Sequence, residues 1–199
     1  MRIETVAEGL RAELTDPVWL DTALATVARQ PAAIARLFPA AGRRCGRWML
    51  TQPPGWSSDD AARVLLLTRL PVKTEIPMLY RYGDAAEKRA VLRALPWLDL
   101  PREVAEPILH DALRTNDTRL VAAALGPAAR HLDQPAWRHG VLKAVFMQLP
   151  LAGVADLDER ADGELAEMLA GLAEERRAAG RALAADATEL LQRIRSSAR

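Results

Sequence analysis

The feature that most limits what this chain can fold into is its punctuation: glycine, proline and capping residues recur at short intervals, and no strand pattern lies between them. Gly83, Pro96 and the pair Gly126-Pro127 each stop an apolar-periodic segment, and Pro101 opens one. No sustained alternation of apolar and polar residues occurs, and no Asn-Gly or Asp-Gly turn sits between β-branched segments. Backbone groups in such short pieces are satisfied locally by helices, so the class is all-α.

Residues 3–14 and 17–29 read as helices split by Thr15-Asp16-Pro17, with the proline at a first helical position. A short helix is expected at 32–38. The glycine- and proline-rich stretch from Pro39 to Trp56 is then expected as the longest irregular segment, either a connector or a functional loop. Ser57-Ser58-Asp59-Asp60 offers capping hydroxyls and acidic groups to a helix over 58–70. Its apolar residues Ala61, Ala62, Val64, Leu65, Leu66, Leu67 and Leu70 face almost every direction, so that helix should be central and buried. Further helices are expected at 73–82 and 84–95, the latter opened by a capping-box-like Asp84 and Glu87. Pro101 opens another to about Arg114, and Thr115-Asn116-Asp117 caps one that Gly126-Pro127 closes. The last three lie at 134–148, 160–179 and 184–195. Paired short helices predict an irregular HEAT-like helical repeat, α-solenoid-like, with a compact orthogonal helical bundle as the alternative. At 199 residues, one domain over 1–199 is expected.

Apolar residues make up 50% and charged ones 27% of the chain, and the net charge is +1 with acids and bases mixed. That is an ordinary soluble composition without the global basic field that nucleic-acid binding would favour. The single cysteine, Cys45, forms no intramolecular disulfide and fits a reducing compartment. The opening Met1-Arg2-Ile3-Glu4-Thr5 has no apolar signal region, and no stretch reaches the roughly 18 uncharged apolar residues of a membrane span. A cytoplasmic protein is expected.

His110, His131 and His139 lie in separate segments, with no His-Glu-x-x-His and no cysteine pair, so no metal site is expected. Neither a nucleophile elbow, a phosphate loop nor a dinucleotide fingerprint is present, so no cofactor is expected. Cys45 stands among Arg43, Arg44 and Arg47, which would lower its pKa, although an incidental thiol is the plainer reading.

Four charged constellations stand out. Lys143 occupies the narrow polar sector of an otherwise apolar helix from Trp137 to Phe146, one turn after His139. It either snorkels to solvent or a structural partner, or binds an anion or serves catalysis. Asp158-Glu159-Arg160 precedes the long amphipathic helix, and Glu174-Glu175-Arg176-Arg177 with Arg181 closes it. There, capping and solvated pairs compete with a site role. Arg114-Thr115-Asn116-Asp117 at a helix–helix turn is either a cap or an anion site. Trp56, Asp60 and Arg63 cluster at the start of the buried helix, where Arg63 needs a carboxylate partner and forms either a structural pair or a pocket wall.

Trp137 with Val141-Leu142-Lys143-Ala144-Val145-Phe146, Leu157-Asp158-Glu159-Arg160-Ala161 and Glu175-Arg176-Arg177-Ala178-Ala179-Gly180-Arg181 together resemble the EboA family of bacterial metabolite-traffic proteins. Arg114-Thr115-Asn116-Asp117, Tyr82-Gly83-Asp84 with Glu87, and Trp56, Asp60 and Arg63 fit the same family. The resemblance spans roughly 50–182 and leaves 1–45 as variable N-terminal helices. Arg138-His139 stands where Asn-Gln is common in that family, Asp162 where Asn is frequent, and Gly126-Pro127-Ala128 in place of an Asn-Pro-Tyr-like element.

The resemblance implies a non-enzymatic accessory or adaptor protein that handles or moves secondary-metabolite precursors at the inner membrane. The partners it implies are a prenyltransferase-like membrane protein and TIM-barrel enzymes from the same operon. One groove would carry Arg63, Arg114, Lys143, Arg160 and Arg181 opposite Asp60, Asp117, Asp158 and Glu175, with Trp56 and Asn116 beside them. It would bind a polar or anionic metabolite or a partner protein. Two other classes stay open. One is an isomerase or lyase acting on a phosphorylated or cyclitol-like molecule through Lys143 or Glu175, and the other is a purely structural scaffold.

Overall fold

The computed structural model describes residues 2–14 and 17–197, and it is helical throughout, with twelve α-helices and no strand among the described residues. The chain divides into two compact units, 1–108 and 109–199.

The first unit is built on α4 (Ser58–Thr68), in which every residue from Ser58 to Leu67 is buried. Around it pack α1 (Ile3–Glu13), α2 (Val18–Arg29), α3 (Ile34–Arg44) and α6 (Ala85–Ala94). The apolar wrap of Ala61 to Leu67 thus has the central position its all-round pattern predicts. A short α5 (Ile76–Tyr82) leads into α6, whose Asp84–Glu87 capping box is made in both directions. The start of α7 (Arg102–Arg114) completes the unit. Of the expected break before α2, Thr15 and Asp16 lie outside the described residues, while Pro17 accepts a hydrogen bond from Asp21 N at 3.0 Å one residue before the helix.

One expectation fails here. The helix after Pro31 does not stop at 38 but runs to Arg44, with Pro39 inside it. Ile34, Leu37, Phe38 and Ala41 share one buried face that continues past the proline, and that burial outweighs the missing backbone donor. The irregular segment is therefore shorter, 45–57. It is pinned rather than loose: Leu50 N donates to Trp56 O at 2.7 Å and Ser58 N to Trp48 O at 2.9 Å. Its tip rests on α1, where a Cβ at Gly9 would lie 1.9 Å from the Gln52 carbonyl oxygen. Thr51 N donates to Glu13 Oε1 at 2.6 Å beside it.

The second unit holds the end of α7, α8 (Thr118–Ala124), α9 (Gln134–Phe146), α10 (Leu157–Arg160), α11 (Gly163–Ala178) and α12 (Ala185–Ser197). α11 packs on α9 and α12, and α8 on α9. The long helix begins at Gly163, not at 160 as expected, because Asp162 takes the cap: its carboxylate accepts from Leu165 N at 3.1 Å. Asp158, Glu159 and Arg160 form the separate one-turn α10, so they do not cap α11.

Candidate functional site

The charged residues of the first unit form a sealed network at the start of α4. Arg63 is 1% exposed; its Nη1 donates to Asp59 Oδ2 at 2.7 Å and its Nε to Phe38 O at 3.2 Å. Ser57 does not cap the helix with its hydroxyl, which instead donates to Asp59 Oδ1 at 2.7 Å. Burial pushes the Asp59 carboxyl up, but the hydrogen bonds from Ser57 and Arg63 outweigh it and hold the group below the usual carboxylate range. Asp60 pairs not with Arg63 but with Arg89 at 2.8 Å and Arg93 at 3.3 Å. Burial still leaves its carboxyl above the ordinary value. Arg93 also donates to Gly55 O at 2.7 Å and lies 4.7 Å from the Trp56 ring, which in turn meets Trp97 at 5.9 Å. Arg63 and Asp60 are buried and paired, the arrangement of a polar core.

Cys45, in the same region, is not activated by the arginines that flank it in sequence. Arg43, Arg44 and Arg47 are exposed while the thiol is buried, and burial pushes its pKa up to about 11 against a weaker lowering effect from Arg63. The neighbours in sequence point away from it.

In the second unit, Arg160 is a clamp. Its guanidinium donates to Ala129 O at 2.9 Å, to Leu132 O and Asp133 O at 3.1 Å, and to Gln134 Oε1 at 3.1 Å, and lies 4.9 Å from the Trp137 ring. Those carbonyls close the 3₁₀ turn Pro127–His131 and open α9, so Arg160 fixes how the chain enters that helix. Asp162 meets Arg138 in a two-pronged pair, with Nε–Oδ1 at 2.9 Å and Nη2–Oδ2 at 2.5 Å; Arg138 Nη1 reaches Glu164 at 2.6 Å. The hydrogen bond from Arg138 lowers the Asp162 pKa to about 2. Arg138 and Asp162 are two positions where the resemblance expects neutral residues, and they face each other as a charge pair.

Asp117 accepts from Arg119 N at 2.9 Å as the cap of α8, and its carboxylate also meets the Arg119 guanidinium, which holds it below the usual range. Asn116 is exposed beside it. Asp158 meets Arg193 at 2.7 Å, both largely exposed, in a shallow groove of about 400 Å³ with Asp162 and Ile194. Glu175 and Arg181 line a different groove of about 450 Å³ with Phe146, Leu172 and Arg176. There Arg176 donates to Phe146 O at 2.7 Å, and the Phe146 ring, expected on the apolar face of its helix, is 64% exposed.

Arg114 and Lys143 do come together. They line a groove of about 350 Å³ between the end of α7 and α9, with His110, Leu113, Ala136, His139 and Gly140. Gly140 sits where α9 comes closest to its neighbours: a Cβ there would lie 2.8 Å from Leu125 Cδ2 and 3.3 Å from Leu113 Cδ1. His139 Nδ1 lies 2.8 Å from Pro135 O, which accepts its proton and turns the other ring nitrogen outward. Lys143 is half-buried, and its side chain makes no hydrogen bond or ion pair with the described residues. Arg114 touches Asp111 only at 3.4 Å, on an exposed face. No carboxylate lines the groove. The result is an apolar floor of Leu113, Ala136 and Gly140 under a rim of nitrogen-bearing side chains.

Of the eight expected site residues in the second unit, then, Arg114 and Lys143 share one groove, Glu175 and Arg181 another, and Asp158 a third. Arg160 is turned inward, while Asn116 and Asp117 stay at their helix cap. Sequence reasoning passed over His110 and Leu113. The signal was there in spacing, since His110–Arg114 and His139–Lys143 are both i, i+4 pairs that place one histidine and one cation on one face of each helix. Among the described residues no group of three or more His, Cys, Asp or Glu side chains is arranged to hold a metal ion.

These features define an all-helical protein with open, charged grooves. A family model described as metabolite traffic protein EboA matches residues 35–192, well over half the chain, and the chain belongs to that family. The matched region reaches further in both directions than 50–182 and takes in nearly all of α3, so part of the segment expected to lie outside the family is inside it. No curated protein and no solved structure matched the chain. No helix among the described residues is long and apolar enough to cross a membrane.

Proposed function

We infer that this chain is a non-enzymatic accessory protein of metabolite traffic that holds an anionic, partly apolar secondary-metabolite precursor in the Arg114–Lys143 groove. The observation that carries this is Lys143: a half-buried lysine side chain over an apolar floor, in a groove that Arg114 also lines and no protein carboxylate does. Such a cation is most stable when something supplies the missing negative charge, and a ligand with an anionic head and a hydrocarbon body does so while covering Leu113 and Ala136. In this reading the protein works in the cytoplasm at the face of the inner membrane. It passes its ligand to or from the prenyltransferase-like membrane protein and TIM-barrel enzymes of its operon. The rival reading, an isomerase or lyase acting through Lys143 or Glu175, divides its two candidate groups between different grooves.

Octyl phosphate tests the idea, with inorganic phosphate as the control for charge alone. Octyl phosphate should bind the wild-type chain at least about tenfold more tightly than phosphate, and Lys143→Met should weaken it about tenfold with the melting temperature unchanged. In the cell, Lys143→Met should abolish pathway output at normal protein level. Equal affinity of mutant and wild type, or no binding of octyl phosphate, overturns the reading.

A further inference from the structure

The near-zero net charge conceals a local imbalance. From residue 22 to residue 58 the chain carries five arginines, Arg29, Arg36, Arg43, Arg44 and Arg47, and no aspartate or glutamate. All five are exposed. Arg36 and Arg43 are seven residues apart on α3, two turns along one face, and that face with Pro39 and Arg44 looks outward while Ile34, Leu37, Phe38 and Ala41 are buried. Arg47 lies against the last turn of the same helix, for a Cβ at Gly42 would meet its Nε at 2.9 Å.

Two large apolar side chains follow Arg47 in the chain. Trp48 is 41% exposed and Met49 62% exposed. Neither is a floppy loop residue. The Trp48 ring crosses Gly46, whose φ of 73° and lack of a side chain make room for it, since a Cβ there would lie 1.8 Å from a ring carbon. The backbone of both residues is held by the hydrogen bonds that pair Trp48 and Leu50 with Ser58 and Trp56. An outward tryptophan and methionine on a fixed support, next to an acid-free row of arginines, combine an apolar anchor with a surface charge.

We propose that the α3 face and the Arg47-Trp48-Met49 segment dock the protein on an anionic lipid bilayer, with the arginines at the phosphate level and Trp48 and Met49 in the headgroup boundary. Charge complementarity selects the occupant. Basic residues near an anionic leaflet each add to attraction, tryptophan favours the membrane interface, and stable peripheral binding needs two such signals. A nucleic acid would use the arginines and could stack on Trp48 but gains little from Met49. The proposal rests on the placement at the membrane face made above and identifies the surface that achieves it.

Sedimentation of the full chain with vesicles tests it. The protein should pellet with vesicles of equal parts phosphatidylglycerol and phosphatidylcholine, stay in solution with phosphatidylcholine alone, and be released by high salt. The triple variant Arg36→Ser, Arg43→Ser, Arg44→Ser should weaken partitioning roughly hundredfold. Trp48→Ala with Met49→Ser should weaken it about tenfold. Brominated lipid should quench part of the wild-type tryptophan emission, and Trp48→Phe should remove that part. Because the arginines are exposed, the triple variant should melt as wild type does, and every variant should keep octyl phosphate binding, so this proposal and the groove can fail separately. Equal pelleting with neutral vesicles, variants that bind lipid as wild type does, no quenching, or displacement of the protein from vesicles by trace single-stranded RNA would each overturn it.

Discussion

Arg63 and Lys143 are both cations on largely apolar helices, and their partners separate a structural role from a binding one. Arg63 has Asp59 at 2.7 Å in a site closed to water, so Arg63→Leu strands a buried carboxylate and should cost about 3–5 kcal/mol. Urea unfolding checks this: a loss under about 1 kcal/mol would contradict it, and adding Asp59→Leu should recover part of the loss. The buried arginine could be foreseen, because an all-round apolar helix leaves its one cation no path to solvent. Its partner could not. Asp59 and Asp60 are both within reach in sequence, and only the positions of Arg89 and Arg93 show why Asp60 turns away. Cys45 carries the opposite lesson: three flanking arginines offered a lowered pKa as the lesser of two readings beside an incidental thiol, and burial raises the pKa instead. With a pKa of about 11 the thiol stays protonated, so at pH 8 native protein should react with iodoacetamide about a hundredfold more slowly than unfolded protein. The same shift makes a sign prediction. The folded state favours the neutral thiol, so this contribution to stability is present below pH 9 and is lost as pH rises through 9 to 11.

At the level of elements, the start of α11 is set by Asp162, which serves as cap and ion-pair partner at once. Asp162→Ala should cost about 1 kcal/mol through the cap in addition to the lost Arg138 pair, whereas Asp162→Asn keeps a good capping side chain and should lose the pair alone. Equal losses in thermal melts would contradict the division. The Asp162 pKa of about 2 lies below the unfolded value, so its contribution is complete above pH 4 and is lost as pH falls through 2, a drop that Asp162→Asn should remove. Caps of this kind were partly legible: the Asp84–Glu87 box could be read from spacing alone, and it is made as the pattern predicts. The continuation of α3 through Pro39 was not, because proline is a strong local stop signal and only tertiary burial of Leu37, Phe38 and Ala41 overrides it. The early start assigned to α11 failed for a similar reason. Asp158 and Glu159 look like caps in sequence, but Arg160 is drawn to the carbonyls before α9 and breaks the helix at Ala161.

For the molecule as a whole, the all-helical class followed from punctuation, and the family from blocks spread over the C-terminal two thirds. The distribution of charge did not follow from either. A net charge of +1 is compatible both with a mixed surface and with an arginine face on α3 balanced by acids elsewhere, and only the exposed positions distinguish them. The site residues were legible as types but not as a set, because sequence gives the helix a residue lies on and not the groove it lines. Lys143 and Arg114 line one groove beside the close packing that Gly140 allows, while Glu175 and Arg181 line another with Phe146, the last residue of α9. The central claim is that the Lys143 groove takes an amphipathic anion, and backbone amide shifts of the isotope-labelled full chain during an octyl phosphate titration test it most directly. The account predicts saturable shifts at Leu113, Arg114, Gly140 and Lys143 that vanish in Lys143→Met; saturable shifts confined to the Phe146–Arg181 groove would contradict it.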